Sequence, residues 1–133
     1  MTVRGLGVDM VEIARMRAAL GRQPGLAVRL FTPGERDYCQ DHADPAPHYA
    51  ARFAAKEAVA KAVGRHLRWQ EVEVVTEPSG RPTLSFTGES AAVTRGASFL
   101  VSLSHSRDYA VAAVVMLGPP PGLPEDEART VIV

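Results

Sequence analysis

A single cysteine, Cys39, in 133 residues rules out an internal disulfide and a zinc ribbon. It fits a small, half-buried hydrophobe in a reducing compartment. Net charge is missing too: fifteen Lys and Arg balance fifteen Asp and Glu, so the average surface offers no field for nucleic acid or anionic membrane, and any steering must be local. No stretch approaches the ~20 apolar residues of a membrane span, and the start MTVRGLGVDM lacks the apolar run of a signal peptide. His42, His48 and His66 show no zinc-ligand spacing, and no fixed-period repeat is visible. These absences leave the expectation of one soluble, cytoplasmic domain with neither nucleic-acid nor membrane partners, large enough to bury roughly two-thirds of its unfolded surface.

Local patterns then divide the chain. Residues 3 to 9, VRGLGVD, predict a short strand ending at Asp9. From Val11 the apolar residues Ile13, Met16, Ala19 and Leu20 fall at helical spacing, with Arg15 and Arg22 on another face as a basic edge. Thr32, Pro33 and Glu35 form a helix start signal for a short helix through Cys39. After a proline-containing loop or helix start at 41 to 48, a long helix is expected from about Tyr49 to Val63, ended by Gly64. Alternation in 71 to 77 and 83 to 87 predicts a hairpin turning at Ser79 and Gly80. GESAAVTRGA is a weak helix, and residues 98 to 117 a second hairpin turning at Ser106 to Asp108, whose apolar run Tyr109 to Leu117 implies a strand covered on both faces. Strand, helices and antiparallel hairpins point to an α+β domain over residues 1–117, helices covering one antiparallel sheet. Residues 118–133, with four prolines and several charges, are expected to be a flexible tail.

The stretch RFAAKEAVAKA, residues 52 to 62, sets two charges into a run of alanines. Phe53, Glu57 and Lys61 are spaced by four and share one helical face, beside a smooth stripe of Ala54, Ala58 and Ala62 that lets something come close. On spacing alone, an ordinary surface pair of Glu57 and Lys61, contributing ~0.3 to 0.5 kcal/mol, is the favoured reading, since such pairs are common on solvated helices. Asp9 with Glu12 reads as an N-cap and its capping-box acid, contributing ~1 kcal/mol to the first helix. His105, in SLSHSRD, fits a residue beside a turn.

Taken together and in this order, GVDMVEIAR, RFAAKEAVAKA and SLSHSRDYAVAAVV resemble the holo-[acyl-carrier-protein] synthase family of 4'-phosphopantetheinyl transferases, from about Gly5 to Val115. The resemblance implies an enzyme that moves the phosphopantetheine arm of coenzyme A onto a serine of an apo acyl carrier protein, of fatty-acid or polyketide synthesis, releasing adenosine 3',5'-bisphosphate. It implies that Asp9 and Glu57 hold Mg2+ and that Lys61 meets the same diphosphate. That donor set suits the metal, which keeps several waters and accepts one or two carboxylates plus phosphate oxygens. The general base is left between Glu57 and a water that it holds. The resemblance also places Arg52 and His105 on coenzyme A phosphates, with Ser104 beside them and the Gly80, Arg81, Pro82 turn near the nucleotide. An imidazole is a poor ligand for so hard a metal, so His105 belongs with the phosphates.

Acidic carrier proteins call for a basic surface, for which Arg15, at a position matching the family, and Arg22 are the candidates; solubility alone also explains exposed arginines. The family's small members act as homotrimers with sites between subunits, and a single unit of this length implies the same. The connection from Ala62 to Trp69 is shorter than in many members, and Arg65, His66 and Arg68 are candidates to compensate at a phosphate. Two other readings fit the same residues, a coenzyme A diphosphate hydrolase and a non-catalytic module that binds coenzyme A or the carrier.

Overall fold

A computed structural model of the protein describes residues 1–118, so the expected tail lies, from residue 119 on, outside the described residues. The first strand, β1 (Thr2–Glu12), continues past Asp9 and turns directly into helix α1 (Ile13–Arg22). The capping expectation fails here. Asp9 sits inside the strand, and Glu12 is itself the residue preceding the helix, with no side-chain cap bond. The first helical N–H instead goes outside the helix, Ile13 N donating to Asp108 O at 2.8 Å. Pairing with the last strand holds β1 extended through Glu12, and this outweighs the local capping preference.

A five-residue helix, α2 (Leu26–Leu30), follows, with no counterpart among the sequence expectations. Helix α3 (Pro33–Gln40) starts as expected: Thr32 Oγ1 accepts from Glu35 N and the Glu35 carboxylate accepts from Thr32 N, a complete capping box. Helix α4 (Ala46–Val63) begins three residues before Tyr49, because prolines at 45 and 47 are tolerated in a first turn whose N–H groups need no intrahelical partner. It ends at Gly64, whose φ of 91° is the left-handed conformation that favours glycine.

A 3-10 turn (Trp69–Glu71) leads into the hairpin of β2 (Val72–Thr76) and β3 (Pro82–Phe86), closed by Gly80 N donating to Glu77 O at 2.7 Å. Helix α5 (Gly88–Val93) precedes β4 (Ser98–His105) and β5 (Tyr109–Gly118), which pair across the expected turn. The strands form two sheets, a three-stranded one in the order β1-β5-β4 and the separate β2-β3 pair, where one sheet was expected. No helix among the described residues is long and apolar enough to cross a membrane.

Helix α4 is the spine of the molecule. One side, with Ala54, Ala55, Ala58, Val59 and Ala62, packs on Ala112 and Val114 of β5 and on Val72 and Val74 of β2. Another side meets α1 and α3 through Tyr49, Ala50, Phe31, Cys39 and Ile13. The alanine stripe admits a strand, not a ligand: a Cβ on Gly7 would fall on the Ala58 carbonyl oxygen, and one on Gly5 on that of Ala62. Two glycines and three alanines therefore set the distance between β1 and α4. Strand β5 is covered on one face only. Ala110, Ala112 and Val114 are buried toward α4, whereas Val111, Ala113 and Val115 point the other way and share their face with Leu6, Val8, Met10 and Leu100.

Inside, Lys56 and Glu35 form a buried ion pair with Nζ to Oε1 at 2.7 Å. Both partners make further hydrogen bonds. Lys56 donates to Leu30 O and Trp69 O, and Glu35 accepts from Thr32 N and Val74 N. This network ties α2, α3, α4 and β2 together, and these hydrogen bonds are what make a buried charge pair tolerable.

Candidate functional site

Gly5, Gly7 and Asp9 occupy the face of β1 that meets α4, since strand side chains alternate and Asp9 stands opposite buried Ala112. Close packing at the two glycines therefore delivers Asp9 to the helix face carrying Glu57 and Lys61. Lys61 Nζ lies 3.3 Å from Asp9 Oδ1 and donates to Val8 O at 3.0 Å, so it bridges to the strand and is more than a surface partner of Glu57. The Glu57 carboxyl is held above the usual carboxylate range, first by burial and next by the Asp9 charge, with His66 and Lys61 pulling it back. Two neighbouring carboxyl groups, one lysine and no soft ligand make a donor set for a hard divalent cation. No group of three or more His, Cys, Asp or Glu among the described residues is placed to hold a metal. An ion at Asp9 and Glu57 would thus take its other ligands from water and substrate.

Asp9 and Glu57 line a groove of about 690 Å³ along α1, whose polar edge carries Arg15 and Arg22 and whose apolar wall includes Met16, Leu26, Phe53 and Trp69. Phe53 and Trp69 stack with centroids 5.3 Å apart, and His66 meets Trp69 edge-on at 4.9 Å. Both expected arginines are thus on the groove with the acid pair. Arg65 and Arg68 are exposed.

A second cleft, of about 310 Å³, lies between the start of α4, the end of β4 and the β2-β3 turn. Arg52, Gly80, Pro82, Ser104 and His105 line it together, as the sequence reading grouped them. Arg81 does not line this cleft; it is exposed on an adjoining cavity of about 230 Å³ with Glu77, Phe99 and Leu100. Arg52 is 3 % exposed and donates to Thr76 Oγ1 at 2.9 Å, its guanidinium 3.9 Å above the Tyr38 ring. Cys39, under it, is buried completely and its thiol is pushed up to about 12, chiefly by burial, which leaves it unreactive.

The reading of the sequence weighed His42 and His48 only as zinc ligands and did not single out Tyr38; all three crowd the rim of this cleft. The one available signal was spacing: His48 precedes Arg52 by four, one turn back on the same helix face. His42 comes in from the loop after α3 and has no such signature.

The model of the 4'-phosphopantetheinyl transferase superfamily matches residues 5–114. The chain is 47 % identical over 124 residues to a holo-[acyl-carrier-protein] synthase of Desulforudis audaxviator, covering 88 % of this chain and 95 % of that protein. Among solved structures, the acyl carrier protein synthase of Mycobacterium tuberculosis is similar with a TM-score of 0.74 and 36 % identity, over 89 % of this chain and 100 % of that one. A holo-(acyl-carrier-protein) synthase of Bacillus anthracis, solved in complex with CoA (3',5'-ADP), is similar with a TM-score of 0.75 and 30 % identity, over 87 % of this chain and 97 % of that one.

Proposed function

The chain belongs to the 4'-phosphopantetheinyl transferase superfamily, and from that premise we propose that it transfers 4'-phosphopantetheine from coenzyme A to a serine of an apo acyl carrier protein. The products are holo carrier protein and adenosine 3',5'-bisphosphate. The observation that carries this reading is the meeting of Asp9, Glu57 and Lys61 where β1 packs on α4. The names of the similar proteins support this reading, as does the coenzyme A complex of the Bacillus anthracis neighbour.

In the reaction, the carrier serine oxygen attacks the pantetheine-side phosphorus of the diphosphate, and the bond from that phosphorus to the bridging oxygen breaks. The electron pair leaves with adenosine 3',5'-bisphosphate. Little covalent work falls to the protein, so catalysis is mainly positioning and charge neutralisation. Asp9 and Glu57 are the residues that would hold Mg2+, which supplies neutralisation of diphosphate charge when bound. Lys61, within reach of Asp9, balances the charge that grows on the departing bisphosphate. Glu57, raised toward the range of a proton acceptor, takes the serine proton itself or through a water that it holds. Arg52, His105 and Ser104 bind phosphate in the second cleft, with Gly80 and Pro82 of the hairpin turn beside them and Arg81 next to that turn, toward the nucleotide. Arg15 and Arg22 meet acidic groups of the carrier on the α1 groove.

The acid pair and the Arg52 cleft are separate openings of one chain, which favours a homotrimer in which a diphosphate bridges the acid pair of one copy and the Arg52 cleft of the next. The uncovered sheet face supports it: Leu6, Val8, Met10 and Leu100 are 50, 50, 62 and 49 % exposed and adjoin one another across the pairing.

Intact-mass measurement of an apo carrier protein incubated with coenzyme A and Mg2+ tests the proposal, with a gain of ~340 Da expected on the carrier serine. Glu57→Ala should slow that gain at least ~100-fold and leave the fold intact. Bisphosphate released at full rate without a carrier would establish a diphosphate hydrolase instead, and an unmodified carrier with coenzyme A still bound would establish a binding module.

A further inference from the structure

Arg52 presents a buried cation without a counter-ion among the described residues. Its Nε has no hydrogen-bond partner, and among the described residues no carboxylate lies within salt-bridge distance of its guanidinium. Its other contacts are neutral, the Thr76 hydroxyl, the Tyr38 ring and His48 O at 3.5 Å. A charge so withdrawn from water is costly unless an anion joins it.

Three imidazoles surround that position. His42 stacks on His48 with centroids 3.6 Å apart and planes 25° from parallel, and His48 meets His105 edge-on at 5.6 Å. His42 Nδ1 lies 2.8 Å from Tyr38 O, and since a carbonyl can only accept, Nδ1 carries the proton and Nε2 is the ring's free acceptor. The rings are not a metal cluster, since no three ligating side chains are placed to hold an ion among the described residues. Within the protein alone, His48 is lowered to about 4, first by burial and then by His42, Arg52 and His105. Asp44 is the one group acting the other way, and Arg17 already occupies it at 2.7 Å. Stacked imidazoles 3.6 Å apart tolerate one added proton only if negative charge stands beside them.

We propose that His42 and His48, with Arg52 and His105, form a proton-linked phosphate subsite. A phosphate dianion docking on Arg52 draws one proton from solvent onto the His42-His48 pair, so the cleft binds its phosphorylated ligand with proton uptake. The inference rests on reading this cleft as the coenzyme A side, and adds to it two residues and a pH dependence. The sign follows from linkage: the liganded state holds more protons, so affinity rises as pH falls.

The test is calorimetric titration of the full chain with adenosine 3',5'-bisphosphate at pH 7, in buffers of different ionisation enthalpy. The slope of heat against ionisation enthalpy counts protons, and an uptake of about half a proton or more per site is expected, equivalent to about fivefold tighter binding at pH 6.5 than at pH 8. The ligand's own phosphate, with a second pKa of about 6, can only release protons on binding to a cation, which is the opposite sign. His48→Gln and His42→Gln should flatten the slope while binding persists. Coenzyme A and its analogue lacking the 3'-phosphate separate the possible sources. Uptake lost with the analogue assigns the subsite to the phosphomonoester, and uptake retained assigns it to the diphosphate. Binding by the unaltered protein without uptake, or full uptake by His48→Gln, would overturn the inference. If none of these nucleotides bound in any buffer, the coenzyme A reading itself would fall.

Discussion

Replacing Gly7 by Ala tests whether strand packing builds the acid site. The added methyl would coincide with the Ala58 carbonyl oxygen, a backbone atom inside a regular helix that cannot rotate away. Strand β1 must therefore lift from α4, at a cost near the upper end of overpacking, about 3 kcal/mol. For a domain of this size that lowers the melting temperature by about 12 °C. Asp9 follows two residues later on the same strand face, so the displacement carries its carboxylate away from Glu57 and Lys61. A misplacement of about 1 Å is sufficient to reduce turnover roughly 100-fold. Fluorescence of Trp69, the chain's single tryptophan, reports melting, and the mass of the carrier protein reports rate below the melting range. Gly21→Ala is the control: nothing lies within 4 Å of its added methyl, and alanine in a helix contributes about 0.5 to 1 kcal/mol over glycine. Should Gly7→Ala melt within about 2 °C of the unaltered protein and keep its rate, close approach of β1 to α4 does not set the site.

Two further outcomes follow from the same packing. Lys56→Met leaves the Glu35 carboxylate buried beside Thr32 N and Val74 N alone, and should cost about 3 to 5 kcal/mol in thermal or denaturant melting. Adding Glu35→Gln should restore part of that loss, and a double variant as unstable as the sum of the singles would show that the pair is not coupled. On the uncovered sheet face, Leu6→Glu with Val8→Glu should convert an oligomer to monomers in sedimentation or light scattering while each chain stays folded. An unchanged mass would place the subunit contact elsewhere.

Much of this was legible one residue at a time. The capping box at Thr32 and Glu35, the glycine stops at Gly64 and Gly80 and the period-four spacing of Phe53, Glu57 and Lys61 are local, and local geometry is what a sequence pattern encodes. Asp9 was misjudged locally for the same reason, since its neighbours spell a helix cap and only pairing with β5 keeps the chain extended through Glu12. The alanine stripe was seen, but what it admits was not: the two glycines that fill it lie some fifty residues away in the chain.

By itself, the sequence determined an α+β chain with a long alanine-rich helix, two hairpins and the acids, lysine and arginine of the candidate site, because periodicity and residue chemistry are properties of short segments. Tertiary structure alone decided that Lys61 reaches back to Asp9, that Lys56 and Glu35 neutralise each other in the interior, and that one face of β5 remains uncovered. It also gathered His42, His48 and His105 around a guanidinium with no counter-ion among the described residues. Such contacts join segments far apart in the chain, and their energies depend on burial and distance, which no spacing along the chain records.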